Sequence, residues 1–332
     1  MTELRTYNQQ TSRTLKYNWD DKMNNHSIDD LPTFTIVIAT YNAARTLQKC
    51  LDSVLSQSYS KKEIIIIDGA STDSTIELLR TNDAHLAYWE SSPDQGIYDA
   101  WNKALPHSTG DWILFLGADD TLWSRDTLLS MASCLNSAFP AHFLAYGQIA
   151  AVDEGGRVID VQGQPWEIAK RRFYNEMTLP HTAMFHHRKV FETYGAFDAS
   201  FRIAGDYEFM LRVLRNSSPL FVGAEILVAM QQGGLSTAPR TSLLTYREFR
   251  RARKLHSYPE LTFGWLWSYT KAIIKLALNN LLPEHLTRTI IDIYRLFTLR
   301  RPSWQATSAD MPPKSPLNKR VTGMLSGKAN QD

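Results

Sequence analysis

Short apolar runs alternate with amphipathic segments in the first 120 residues of the chain. FTIVIAT (34–40) and EIIII (63–67) are continuous runs of mostly β-branched residues, the pattern typical of buried parallel strands. Between them, apolar residues repeat at i, i+3, i+4, i+7 and i+8, which predicts an amphipathic helix. Its apolar positions are Leu47, Cys50, Leu51, Val54 and Leu55.

The alternation continues beyond residue 70. LAYW (86–89) and WILFL (112–116) predict two further strands, while helical patterns begin at Ile76 and cover 97–105. Short polar loops separate these segments. Strands and helices that alternate in this way predict an α/β fold with a doubly wound, mostly parallel sheet.

Polar side chains follow each of the four predicted strands, where such sheets bind their ligands. Neither G-x-G-x-x-G nor GK[ST] is present, so the chain has no glycine-rich phosphate loop. Acids beside a phosphate then require a divalent cation, and carboxylate oxygens suit Mg²⁺ or Mn²⁺. The strand ends therefore predict a metal-bound nucleoside diphosphate. They are Thr40-Tyr41-Asn42, Asp68-Gly69, Glu90 to Asp94, and Asp119-Asp120.

The distribution of charge divides the chain in two. Residues 1–239 hold 20 Lys and Arg against 28 Asp and Glu, a net charge of −8. Residues 240–332 hold 16 against 6, a net charge of +10. A basic end of this kind indicates an anionic partner, either a membrane surface or a nucleic acid. With only Cys50 and Cys134, the chain has no disulfide framework, which favours a cytoplasmic location.

An apolar segment near the C-terminus, FGWLWSYTKAIIKLALNNLL (263–282), resembles a membrane span in length. Two internal lysines would each cost about 2.5–3.5 kcal/mol near the centre of a bilayer. A helix lying in the membrane interface, with Trp265 and Trp267 at headgroup depth, avoids that cost. A second candidate helix covers 284–299. Packing of both helices on the preceding part of the fold is the alternative. The polar stripe consists of Ser268, Lys271, Lys275 and Asn279.

Several motifs carry a resemblance to a known family. In order, they are TIVIATYNAARTLQKCLDSVLSQ, EIIIIDGASTDST, ESSPDQGIYDAWNK and GDWILFLGADD. Over about residues 33–237 the chain resembles the family 2 glycosyltransferases of the GT-A fold, in particular bacterial enzymes of exopolysaccharide and lipopolysaccharide synthesis. The resemblance implies a Rossmann-like nucleotide half plus an acceptor half. It also implies inverting transfer from a nucleotide-diphosphate sugar, here expected to be a UDP-sugar, to a glycan acceptor hydroxyl.

The resemblance assigns the donor side to particular residues. LGADD stands at the D-x-D motif of the family, which makes Asp119 the expected ligand of Mn²⁺ or Mg²⁺. Gly117 occupies the position of the motif's first Asp, which leaves the ribose contact of that Asp open. The expected nucleotide-binding residues are Ala39, Thr40, Tyr41, Asp68, Asp94, Asp99, Asn102 and Asp120.

The second half supplies the acceptor side. IAGDYEFMLR (203–212) matches the family's acidic motif at the start of a helix, with Asp206 as the expected catalytic base and Glu208 as the other candidate. The helix dipole is expected to hold Asp206 ionised. A helix-capping role for Asp206 is the alternative. LPHTAMFHH (179–187) places His181 where it could contact acceptor or leaving group, and a structural histidine is equally compatible.

Together these interpretations predict four parts: a flexible arm (1–31), a GT-A domain (32–239), a basic helical region (240–301) and a disordered tail (302–332). The protein is expected at the cytoplasmic face of the membrane, acting on a lipid-linked glycan. The main alternative is a non-catalytic, membrane-associated scaffold on a degenerate GT-A fold, which Gly117 favours. A nucleotidyltransferase lacks support because ATYNAART is not a glycine-rich loop. A nucleic-acid partner is not expected, since it would leave the acidic strand ends unexplained.

Overall fold

The structure, a computed structural model, describes residues 28–233 and 241–281 together with Leu286, Thr289, Ile290 and Ile293. Most of the predicted N-terminal arm, the whole of the predicted tail and nearly all of the second C-terminal helix lie outside the described residues.

One mixed sheet forms the centre of the described part of the chain. Its strand order is β3-β2-β1-β4-β8-β6-β9-β5, and β7 pairs with β6. The strands are β1 Phe34–Thr40, β2 Lys62–Asp68, β3 Tyr88–Ser91, β4 Trp112–Gly117, β5 Thr121–Leu122, β6 Leu144–Val152, β7 Val158–Gln162, β8 Met184–His187 and β9 Leu220–Gln231.

The first four strands are parallel, as the sequence predicts. Beyond β4 the sheet becomes mixed, because β8 runs antiparallel to both β4 and β6 while β6 and β9 are parallel. The parallel half is the predicted doubly wound part. The mixed half extends the same sheet.

Helices cover both faces of this sheet. Side chains on β1 alternate between the two layers: Ile36 and Ile38 join one apolar cluster and Val37 the other. The helices are α1 Leu47–Leu55, α2 Thr75–Asn82, α3 Ile97–Ala104, α4 Thr127–Leu135, α5 Trp166–Phe173, α6 Lys189–Tyr194, α7 Gly205–Val213, α8 Ser242–Leu255 and α9 Phe263–Leu281.

Helix α8 packs on the core of the fold. Phe249 and Ala252 are buried in the same apolar cluster as Phe209 and Met210 of α7. The sequence places this helix in a separate basic region because most of its charged residues are cationic. The buried side chains show that at least this helix is continuous with the core.

Helix α9 forms as predicted, but the predicted position of Trp265 at headgroup depth is wrong. Trp265 is 5% exposed, donates its indole N–H to the carbonyl of Tyr246 at 3.0 Å and stacks on Tyr269. Ser268, from the predicted polar stripe, is buried as well. The side chains of Lys275 and Asn279 lie outside the described residues. No described helix is both long and apolar enough to cross a bilayer.

Candidate active site

The register of the parallel strands aligns their carboxyl ends. Thr40 of β1 pairs with Asp68 of β2, and Asp68 pairs with Ser91 of β3. On the other side of β1, Ala39 pairs with Gly117 of β4. The polar clusters that follow four separate strands in the sequence are therefore neighbours at one edge of the sheet.

Asp68 organises this edge from inside. It is fully buried, and its carboxylate accepts hydrogen bonds from the Ser71 amide (2.8 Å), the Ser71 hydroxyl (2.5 Å) and the Ser91 hydroxyl (2.6 Å). These contacts fix the loop after β2 and join it to β3. The neighbouring Thr40 hydroxyl is buried and has no hydrogen-bond partner among the described residues. A contact of Asp68 with base or ribose remains a prediction.

The loop before α3 lies against the end of β2. Asp94 accepts a hydrogen bond from the Gly96 amide at 2.9 Å. A Cβ on Gly69 would lie 2.6 Å from Asp94 Oδ2, so only glycine permits this close approach. Asp99 accepts from the Gln95 amide at 3.1 Å, and its carboxylate lies 3.6 Å from the Lys103 ammonium. Asp94 and Asp99 thus shape the loop that was predicted to line the nucleotide.

Asn102 and Tyr41, two further residues predicted to contact the nucleotide, differ in how far the protein itself engages their side chains. The Asn102 side-chain amide bonds the backbone of Phe197 twice, donating at 2.8 Å and accepting at 3.0 Å. That amide joins α3 to the segment before α7. Tyr41, in contrast, is 65% exposed at the end of β1, where its ring is open to a ligand.

The acid pair after β4 combines one exposed and one buried carboxylate. Asp119 is exposed, whereas Asp120 is buried and accepts a hydrogen bond from the Gln231 amide at 3.1 Å. Burial and the charge of Asp119 raise the pKa of Asp120 to about 8. Partial desolvation also raises the pKa of Asp119. Two adjacent acids with raised pKa values favour a bound cation.

The pair fits a metal that is shared with a ligand. Mg²⁺ typically uses one or two carboxylates together with substrate phosphates. Within the described residues, no three His, Cys, Asp or Glu side chains form a group that could hold an ion without a ligand. Cys50 lies beneath the pair, with Sγ 3.5 Å from the Gly117 carbonyl, and its burial raises the pKa of the thiol. Cys50 is the core residue that its helical position predicts.

Asp206 lies in the first turn of α7 and contacts α3. Its Oδ1 is 3.1 Å from the Tyr98 hydroxyl and accepts from the Tyr207 amide at 2.8 Å. Burial raises the pKa of Asp206 to about 6, against the lowering effect of these hydrogen bonds. Burial thus outweighs the stabilisation of the charged form that the helix N-terminus is expected to give, so the pKa rises instead of falling. The carboxylate is still mostly ionised at pH 7.

Glu208, the other candidate base, has a different environment. It is buried, its Oε1 lies 2.6 Å from His256 Nε2, and its Oε2 lies 3.0 Å from the Arg212 guanidinium. The His256 contact joins α7 to the end of α8, and the Arg212 contact lies within α7. Unlike Glu208, Asp206 has no ion-pair partner among the described residues.

His181 lies beneath the site. Its ring is buried and stacks on Trp101 with centroids 4.8 Å apart, and in the described part of the chain Nε2 has no hydrogen-bond partner. Burial lowers the pKa of His181 well below its usual value, and burial also lowers that of the adjacent His186 to about 3. Both imidazoles are therefore neutral. His186 lies within β8.

Comparison with known proteins places this geometry in a family. The sequence model described as "Glycosyl transferase family 2" matches residues 35–195. The PGL/p-HBAD biosynthesis glycosyltransferase of Mycobacterium tuberculosis (strain ATCC 25177 / H37Ra) is 32% identical over 210 residues, which are 62% of this chain and 79% of that protein. The chain belongs to glycosyltransferase family 2. Its role is therefore glycosyl transfer.

Solved structures of glycosyltransferases share the fold. The mannosyltransferase PcManGT from Pyrobaculum calidifontis, in complex with GDP-Man and Mn²⁺, aligns with a TM-score of 0.53 at 18% identity, covering 90% of this chain and 88% of that one. S. aureus TarS 1-349 in complex with UDP-GlcNAc aligns with a TM-score of 0.51 at 17% identity, covering 81% and 73%. The predicted GT-A fold is confirmed.

Two residues of this glycosyltransferase escape the sequence analysis. Tyr98, which contacts Asp206, lies 108 positions earlier in the chain, and no spacing rule connects them. Glu248 of α8 binds the loop just before α7. It is the single acid within REFRRARK (247–254), and an acid inside a basic run is the signal that could have drawn attention to it. Asp206, Glu208 and α8 all lie beyond the residues that the family model matches.

Proposed function

We propose that this glycosyltransferase moves a sugar from a nucleotide-diphosphate donor to an acceptor hydroxyl with inversion, and that Asp206 is the base. The observation that carries the proposal is the environment of Asp206. Its carboxylate lies at the start of α7, contacts the Tyr98 hydroxyl and has a pKa of about 6. A base of this pKa is mostly ionised at neutral pH and still accepts a proton effectively.

The chemistry requires one displacement. Asp206 takes the proton of the acceptor hydroxyl while that oxygen forms a bond to the anomeric carbon of the donor. The bond from the anomeric carbon to the diphosphate oxygen breaks, and its electron pair leaves with the nucleoside diphosphate. Because no covalent enzyme intermediate forms, a single attack from the opposite side inverts the anomeric centre.

The donor site in this proposal is the edge formed by the ends of β1, β2 and β4. Tyr41 would face the nucleoside, with Thr40 next to it at the end of β1, and Asp119 with Asp120 would hold Mn²⁺ or Mg²⁺. A divalent cation there would offset the charge that develops on the leaving diphosphate. The likeness to proteins whose complexes contain UDP-GlcNAc or GDP-Man with Mn²⁺ supports this class of donor. A UDP-sugar remains our prediction.

We further propose that the acceptor is a lipid-linked glycan and that the enzyme works at the cytoplasmic face of an anionic membrane. Helix α9 exposes apolar side chains that the described residues leave uncovered, among them Phe263 (84% exposed) and Trp267 (54%). The surrounding C-terminal part carries a net charge of +10. Apolar side chains combined with cations suit an anionic bilayer surface.

The test is Asp206→Asn, assayed with Mn²⁺ and a panel of UDP- and GDP-sugars. Asn preserves the size of the side chain but cannot take the proton, so transfer should fall by roughly 10²–10⁴-fold while donor affinity is retained. Asp52→Asn is the matched control, because the Asp52 side chain is exposed on α1 and, within the described residues, bonds only Gln48. Transfer at the wild-type rate by Asp206→Asn would exclude Asp206 as the base.

A further inference from the structure

Glu248 is a buried acid in a helix of mostly basic character. Its side chain is 6% exposed, and its carboxylate accepts three backbone hydrogen bonds. The donors are the successive amides of Arg202 (2.9 Å), Ile203 (2.9 Å) and Ala204 (2.8 Å). Three amides directed at one buried carboxylate form a strong, charge-assisted contact. This contact fixes the backbone of 202–204.

A second residue of α8 binds the same segment one turn later. The Arg251 guanidinium donates to the carbonyl and hydroxyl of Ser200 at 3.1 and 2.5 Å, and it lies 4.1 Å from the ring centroid of Phe201. Glu248 and Arg251 are three residues apart and so project from the same face of the helix. Helix α8 therefore holds the segment 200–204 at two points.

This segment leads directly into the residues of the proposed base. Ala204 is the N-cap of α7, and Asp206 follows it by two positions. The Tyr98 hydroxyl lies 2.5 Å from the Ile203 carbonyl and 3.1 Å from Asp206 Oδ1, so its one proton is shared between them. The position of Ile203 therefore determines how Tyr98 meets Asp206.

We propose that Glu248 is a positioning residue for Asp206: by binding the amides of Arg202, Ile203 and Ala204, it holds the start of α7 and the Tyr98 contact in the arrangement for proton transfer. This inference rests on the proposed function of Asp206 as the base. With Glu248, α8 joins α3 and α7 as a third helix that contributes to the active site. Helix α8 lies outside residues 35–195, which the family model matches.

The same geometry gives the proposal a pH signature. Among the described residues, the titratable groups that face Asp206 are Tyr98 on α3 and Glu248 on α8. Burial is the main cause of the raised pKa of Asp206, and the negative charge of Glu248 raises it further. If Glu248 is neutralised, the pKa of Asp206 should fall. The acid limb of the transfer rate, where the base becomes protonated, should then move to lower pH.

The experiment compares wild type, Glu248→Gln and Glu260→Gln in the intact chain. Glu260→Gln removes the same charge, but Glu260 pairs with Arg250 and Lys254 and does not contact 202–204. For Glu248→Gln we expect kcat to fall roughly tenfold or more, donor affinity to be retained, and the acid limb to shift downward. Amide hydrogen exchange over 202–204 should accelerate, because Gln offers one acceptor oxygen in place of two. Glu260→Gln should match wild type in every measurement.

Glu248→Asp provides a second variant in case Gln at 248 does not fold. It keeps the charge but is one methylene shorter, so it should also accelerate exchange over 202–204 and lower kcat. Wild-type kcat and wild-type exchange in either variant would overturn the inference. The Asp206→Asn experiment separates the two proposals. If Asp206→Asn is active, the proposed base is wrong, whereas if it is inactive while Glu248→Gln is normal, only the role of Glu248 is wrong.

Discussion

The arrangement of the acid pair depends on the absence of a side chain at Gly117. A Cβ at that position would lie 2.8 Å from Asp119 Oδ1 and 3.0 Å from Asp120 Oδ2. Asp120 cannot easily move, because it is buried and bonded to the Gln231 amide. Both carboxylates therefore use space that the side chain of an aspartate at 117 would occupy. In the sequence, Gly117 in place of an aspartate favours a degenerate site. In the structure, the same glycine leaves the space that the two carboxylates use.

This argument predicts that Gly117→Ala weakens divalent metal binding. The new methyl group should displace Asp119 from its position beside Asp120, and disturbances next to metal ligands typically cost 10–100-fold in affinity. We expect a loss of about this size for Mn²⁺ in the presence of UDP or GDP, measured by electron paramagnetic resonance titration. Asp119→Ala, which removes the expected metal ligand, should show the largest loss of Mn²⁺ affinity.

Gly155→Ala is the control for that titration. Gly155 is exposed, and a Cβ there would meet only Asp153 Oδ1 at an ordinary 3.4 Å. Mn²⁺ affinity should be unchanged in this variant. Equal affinity in Gly117→Ala and wild type would show that the acid pair does not depend on Gly117, or that the metal binds elsewhere.

At the scale of helices and strands, the first half of the fold could be predicted because each element carries its own pattern. Strands β1, β2 and β4 are buried on both faces, so each forms a continuous apolar run. Strand β8 does not, because it includes two buried histidines, His186 and His187. The antiparallel insertion of β8 between β4 and β6 depends on contacts between distant segments, which local periodicity does not contain.

The candidate site shows the same division. The acids could be found because motifs place them at strand and helix ends, and the register brings the strand ends together. The residues that support these acids could not be predicted from the sequence, since Tyr98 contacts Asp206 across 108 positions and Glu248 contacts Ala204 across 44. Helix α8 was assigned by its charge, although burial of Phe249 and Ala252 decides where it packs.

The packing of α8 predicts unequal effects of two truncations. A chain that ends at Leu261 keeps α8 and its contacts with the strands and helices that precede it, whereas a chain that ends at Arg240 loses Glu248 and the buried ring of Phe249. Loss of a buried Phe side chain alone typically costs about 3–5 kcal/mol. The shorter chain should therefore be destabilised by at least that amount relative to the longer one, as measured by urea unfolding. Equal free energies of unfolding would show that α8 contributes nothing to the core.

At the scale of the whole molecule, α9 shows which side of the basic C-terminal part is apolar and exposed. Trp265, Ser268 and Ala272 face the protein, so the predicted polar stripe does not point to solvent at Ser268. The opposite side of the helix is apolar and exposed, at Phe263, Leu266, Trp267, Ile273, Ile274 and Leu281. An exposed apolar face within the part of the chain that carries +10 supports the proposed contact with an anionic bilayer.

The last prediction tests that contact in the folded protein, since truncation at Arg240 would also remove α8. Trp267→Ser with Ile274→Ser should weaken association with anionic liposomes by roughly 10–100-fold, because burial of two half-exposed apolar side chains contributes about 2–3 kcal/mol. Sedimentation with liposomes measures this, and high salt should release only the electrostatic part. Val161→Ser, at an exposed site on β7, is the control and should bind normally. If the double variant binds as wild type does, α9 is not the docking surface.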